Sequence, residues 1–107
     1  MQIHLVYVTC ANTDEARTIA QDLVRNRLVA CVNILGEIQS LYWWNDAVQE
    51  DRETAFFAKT TAENIDGVVK RVKEMHSYDC PAILTTPIEN GNEDFLKWVG
   101  NECQKLG

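Results

Sequence analysis

The stretch VACVNILGEIQSLYWW, from Val29 to Trp44, decides the fold. It is dense in β-branched and aromatic residues, which suit a pleated, half-buried backbone, and Gly36 interrupts it where a bend or bulge is expected. The reading is one long, kinked strand. Asn45 and Asp46 follow, residue types that tolerate turn conformations, and from about Glu53 through Lys59 the segment Thr-Ala-Phe-Phe-Ala-Lys returns as a partner strand. An extended β-hairpin therefore occupies the middle of the chain.

On its N-terminal side, Ile3, Leu5 and Tyr7 alternate with His4, Val6 and Val8, and apolar residues on both faces suit an interior strand. Asn12 and Glu15 then stand at the spacing of a helix N-cap and its N3 partner, followed by Ala16, Ile19, Ala20, Leu23 and Val24 at helical period. On the C-terminal side, Thr60 and Glu63 repeat the capping spacing before Ile65, Val68, Val69, Val72 and Met75, a helical face that accommodates Gly67. Cys80-Pro81 ends the next turn, Ala82 to Ile88 supplies a fourth strand, and Asn92 can cap a short terminal helix carrying Phe95, Trp98 and Val99.

The element order is βαββαβ with a tail helix, an α+β class of ferredoxin-like type with a long bent hairpin between its second and third strands. Two right-handed βαβ crossovers interleave most simply as one antiparallel sheet of order 4-1-3-2 with both helices on one face. That order brings Cys10, at the end of the first strand, to the same end of the sheet as the turn from His76 to Pro81.

With 107 residues the chain forms a single domain, small enough that self-association adds useful burial. A formal charge of −6 and the lack of a basic stripe argue against nucleic acid as a partner. Met1 leads straight into the first strand without a basic and apolar leader pattern, and no apolar stretch approaches membrane-span length, so a cytoplasmic, non-membrane protein is expected. Cys10, Cys31, Cys80 and Cys103 form no CxxC pair and are expected as reduced thiols.

Three constellations carry chemistry. Cys10 with His76, and Cys80 nearby, joins a soft thiolate to an imidazole, a preference for copper or zinc; the competing reading is a buried thiol acting as a small hydrophobe. Leu41-Tyr42-Trp43-Trp44 sends Tyr42 and Trp44 to one face of the strand and Trp43 to the other, so a two-stranded ribbon cannot cover all three rings. A neighbouring subunit, a stacked ligand or the tail helix must do so. Lys59, His76, Tyr78 and the acidic run from Glu50 to Glu53 include a base and a cation, but no Ser-His-Asp or Cys-His arrangement with an oxyanion donor and no phosphate-cradling glycine loop accompanies them. A non-enzymatic protein is expected.

Several blocks together resemble the CutA family of divalent-cation tolerance proteins: TCANTDEA from Thr9 to Ala16, RLVACVNI from Arg27 to Ile34, SLYWW from Ser40 to Trp44, EDRE from Glu50 to Glu53, and HSYDCPAI from His76 to Ile83. Lys59-Thr60-Thr61, Pro87-Ile88, Gly91-Asn92 and Phe95 to Trp98 extend the likeness over nearly the whole domain. The resemblance implies a homotrimer whose hairpins pack on neighbouring subunits, with Trp44 at the interface and Tyr42, Trp43, Lys59 and Tyr78 bordering an intersubunit cleft. It also implies tolerance to copper and other divalent cations, at a site using a cysteine that ends the first strand and histidines before a Tyr-x-x-Pro turn. Cys10 and His76 match those positions. Met75 stands where the paired-histidine version carries a second His; its thioether favours cuprous ion, while its helical spacing puts it on the core face. Copper or another divalent cation is thus expected as a ligand that folding does not require. A rival reading, by architectural analogy with nitrogen-regulatory signalling trimers, places a small anionic effector in the cleft against Lys59.

Overall fold

The computed structural model describes residues 2–104, and its central element is the hairpin. β1 spans Ile3–Cys10, α1 Thr13–Arg25, β2 Cys31–Trp44, β3 Ala47–Thr61, α2 Ile65–Met75, β4 Ile83–Pro87 and α3 Glu93–Gln104. β2 and β3 join through only two residues, Asn45 and Asp46, at φ 52° and 60°. A two-residue loop with both φ values positive follows the right-handed twist of its strands, and Asn and Asp are the non-glycine residues that tolerate it best. Gly36 supplies the expected kink: its φ is 93°, and the β2–β3 register shifts between Ile34 and Gly36.

The sheet order is β2-β3-β1-β4 with every pairing antiparallel, the order expected from the two crossovers. Val6, Val8 and Cys10 of β1 and Phe56 and Ala58 of β3 point to the helix side, where they bury Ala16, Ile19 and Leu23 of α1 and Val68 and Val72 of α2. Phe56 is fully enclosed, and burial of a side chain of that size contributes about 1.5–3 kcal/mol. The opposite sheet face carries Tyr7, its cross-strand partner Phe57 with ring centroids 5.3 Å apart, and Leu84, which is 64% exposed.

Asn12 caps α1 as its spacing predicts, its side chain accepting the Glu15 amide at 2.8 Å, and Asn92 caps α3 through the Asp94 amide at 3.0 Å. The second capping box does not form. Thr60 lies inside β3, fully buried, and its hydroxyl donates to the Leu28 carbonyl at 2.6 Å, so the chain enters α2 through a single 3-10 turn, Ala62–Asn64, without a side-chain cap. Gly67 allows the same close approach, since a Cβ there would sit 3.2 Å from the Leu28 side chain. β3 begins at Ala47 rather than near Glu53, because hairpin pairing carries the acidic run into the ladder opposite Ile38 to Leu41. α3 is held at the strand ends by an Arg27–Glu102 ion pair of 3.0 Å and by Cys103, whose sulfur lies 3.7 Å from the Thr60 hydroxyl. Among the described residues no helix is long and apolar enough to cross a membrane.

Candidate functional site

β1 ends at Cys10, and α1 starts three residues later, which places Glu15 one helical turn from the strand end. His76 caps the C-terminus of α2 in extended conformation and returns the chain to the same place. The ligand atoms of Cys10, Glu15 and His76 all lie within 4.8 Å of one another. Cys10 is completely buried, as is the His76 side chain.

Two groups of this triad, His76 and Glu15, already have internal hydrogen-bond partners. His76 Nδ1 accepts the Tyr78 amide at 3.0 Å, so Nε2 carries the proton and donates to the Thr9 carbonyl at 2.8 Å. Glu15 accepts from the Ala11 amide on one oxygen and the Ser77 amide on the other, each at 3.0 Å. Burial works against ionisation of Glu15, but hydrogen bonds from Ser77 and Ala11, with His76 nearby, outweigh it and hold its carboxyl below the ordinary value. The Cys10 thiol is pushed up to about 12 by burial and then by the Glu15 and Glu53 carboxylates. In the ligand-free site Cys10 is held as a thiol, Nδ1 of His76 accepts a hydrogen bond, and the Glu15 carboxyl favours its ionised form.

The donor set combines soft sulfur, imidazole and carboxylate, a mixture that suits copper or zinc, and its atoms are close enough for one ion. It fits a cation on one condition: His76 must release the Tyr78 amide to free Nδ1, the nitrogen that lies 3.8 Å from Glu15. Met75 packs against the hydrophobic core, and Cys80 is exposed and outside the triad.

On the far side of Thr9 and Tyr78 lies a second feature, an open cavity of 660 Å³ between the hairpin and the His76–Pro81 turn. Tyr42, Trp44, Tyr78 and Glu53 line it. Glu53 is only 9% exposed and accepts the Tyr78 hydroxyl at 2.9 Å; burial, and then this carboxylate, raise the Tyr78 phenol above its ordinary value. The Tyr42 hydroxyl donates to Asp51.

Within one chain, therefore, Tyr42, Trp44 and Tyr78 converge on one cavity. Trp43 and Lys59 do not line it: Trp43 points to the other side of the ribbon and Lys59 donates to Asn33. The rings at the hairpin tip remain open, Trp43 at 73% and Trp44 at 56%, so the tail helix does not cover them. Two residues of consequence were not singled out by pattern. Glu15 reads as a capping residue, although its place one turn after Cys10 is a usable signal, and Glu53 reads as part of a solvated run, although alternation with Ala55 and Phe57 puts it on a sheet face.

The family described as CutA1 divalent ion tolerance protein matches residues 4–102. The divalent-cation tolerance protein CutA of Pyrococcus horikoshii is 37% identical over 101 residues, covering 94% of this chain and 98% of that one. The CutA homolog of Xenopus laevis is 39% identical over 95 residues; that match takes in 89% of this chain but 63% of the relative, so the chain spans less than two thirds of its length. Among solved structures, that of the periplasmic divalent cation tolerance protein CutA from Archaeoglobus fulgidus superimposes with a TM-score of 0.92 at 37% identity, covering 95% of this chain and 99% of the other.

Proposed function

Because this chain belongs to the CutA1 divalent ion tolerance family, we propose that it is a non-enzymatic cation-tolerance protein that binds copper or a similar divalent ion at Cys10, Glu15 and His76. The observation that carries this reading is the convergence of three ligand atoms within 4.8 Å at the junction of β1, α1 and the turn after α2. The ion would supply the positive charge that makes a thiolate stable at Cys10, which burial otherwise opposes. Glu15 would balance that charge, and His76 would contribute Nδ1 once the Tyr78 amide turns away. Met75, the sequence neighbour of His76, packs against the hydrophobic core.

Self-assembly into a homotrimer belongs to the same proposal. Leu41, Trp43, Trp44 and Val48 are each more than half exposed on one hairpin, and rings of this kind are enriched at the centres of subunit interfaces. Trp44 would then be an interface residue, and Tyr42, Trp43, Lys59 and Tyr78 would border the clefts between subunits. Four cysteines without a disulfide suit a reducing, cytoplasmic location.

The test is calorimetric titration of cuprous, cupric and zinc ions into the reduced protein, beside Cys10→Ala, Glu15→Gln and His76→Ala. Weakened binding in each variant supports the site; undiminished binding in all three overturns it. Sedimentation velocity tests the trimer, and a monomer at micromolar concentration would refute it.

A further inference from the structure

The cavity between the hairpin and the His76–Pro81 turn has a chemistry distinct from that of the triad. Among the described residues its lining includes the carboxylates of Glu53 and Asp79 and no lysine, arginine or histidine. Glu53 is 9% exposed, and among the described residues no cation pairs with it; its one hydrogen-bond donor is the Tyr78 phenol. A buried carboxylate is costly without a positive partner. Around it stand the aromatic rings of Tyr7, Tyr42, Trp44 and Tyr78, whose negative faces attract ammonium groups.

We propose that this cavity binds an organic cation with an ammonium head group, held by the Glu53 carboxylate and the faces of Tyr42, Trp44 and Tyr78. The volume of 660 Å³ falls within the range of small-molecule sites, roughly 300–1,000 Å³. The charge is the reverse of what an anionic effector beside Lys59 requires, since Lys59 lies outside this cavity and bonds to Asn33. Tyr78 orients the carboxylate: its phenol stays protonated and donates to one oxygen, Oε2. The ligand is organic rather than a bare metal ion because the aromatic faces offer no lone pairs for coordination but complement a diffuse, weakly hydrated cation. Tyr78 joins this cavity to the triad, its amide bonded to His76 and its phenol to Glu53, so the cavity is tested with metal excluded.

Isothermal titration of the assembled protein with tetramethylammonium and n-butylammonium chlorides, in the presence of a chelator and at constant ionic strength, tests this. Sodium chloride and sodium butyrate serve as controls. Saturable binding of either ammonium ion, absent with both controls, is the expected result. Glu53→Gln, which keeps the shape and removes the charge, and Tyr42→Leu, which removes a ring face, should each weaken binding about tenfold or more. Sedimentation velocity establishes that each variant keeps the wild-type assembly. No saturable binding to the wild type overturns the proposal, as it would if a basic side chain of a second copy filled the cavity. Equal affinity in Glu53→Gln, or equal binding of butyrate, also overturns it.

Discussion

The Nε2 atom of His76 lies 2.8 Å from the carbonyl oxygen of Thr9, and the two residues are 67 positions apart in the chain. One buried imidazole thereby ties the end of β1 to the turn after α2, with the Tyr78 amide bonded to its other nitrogen. The ring that attracts notice as a ligand is also a structural latch. His76→Ala leaves a carbonyl and an amide without their partner and opens a void, so urea unfolding should show a loss of about 2–4 kcal/mol. A loss below roughly 0.5 kcal/mol, the level of an ordinary surface change, would refute the latch.

Cysteine modification should separate sharply by environment. Cys80 is exposed, whereas Cys10 is buried with its thiol pushed up to about 12. Because the thiolate is the reactive form, Cys10 in the ligand-free protein at neutral pH should react at least about 100-fold more slowly than Cys80 and become accessible on unfolding. Mass spectrometry after timed alkylation reads this directly; comparable rates would contradict the buried, protonated thiol.

Glu15 predicts a specific acid sensitivity. Its folded-state pKa is depressed, so its contribution is fully present above the ordinary value of 4.5 and is lost as pH falls below 4.5 through the lower folded-state value. Glu15→Gln should therefore be less stable than the wild type at pH 7, with the difference shrinking toward strongly acid pH. Paired denaturation curves across that range provide the measurement, and a difference independent of pH would refute the assignment.

The hairpin tip is open to improvement. Asp46 holds φ 60°, a conformation that costs a non-glycine residue about 1 kcal/mol and glycine almost nothing. Asp46→Gly creates an Asn-Gly turn, the preferred sequence for a loop of this type, and should stabilise the protein by up to about 1 kcal/mol. A rise in melting temperature checks it; a fall would show that the aspartate has a role in the assembled protein.

Cation loading should be visible at Tyr78. Freeing Nδ1 of His76 removes the acceptor of the Tyr78 amide, so adding zinc to the reduced, 15N-labelled protein should shift that amide resonance and speed its hydrogen exchange. An unchanged Tyr78 amide at saturating zinc would place the ion elsewhere.

Local chemistry made much of this legible in the chain. Alternation in Ile3 to Val8, helical spacing from Ala16 to Val24 and the β-rich run before Asn45-Asp46 identify elements that contacts within a few residues specify. From their order, two crossover connections suffice to bring Cys10 and His76 to one end of the sheet. Where pattern reading departs from the structure, a long-range partner intervened: Thr60 gives its hydroxyl to Leu28 instead of a cap, and β2 draws the acidic run into β3.

The sequence by itself therefore determined the element types, the strand order and the neighbourhood of Cys10 and His76, because periodicity, capping and crossover handedness are properties of local chain geometry. Only the tertiary structure decided the bonding state of that neighbourhood: Glu15 joins it, both nitrogens of His76 are engaged, and Cys10 is held as a thiol. It also decided that Glu53 and the aromatic rings share a cavity with no basic side chain among the described residues. Hydrogen bonding, desolvation and charge pairing depend on which distant groups fill the same few ångströms, and no spacing along the chain specifies that.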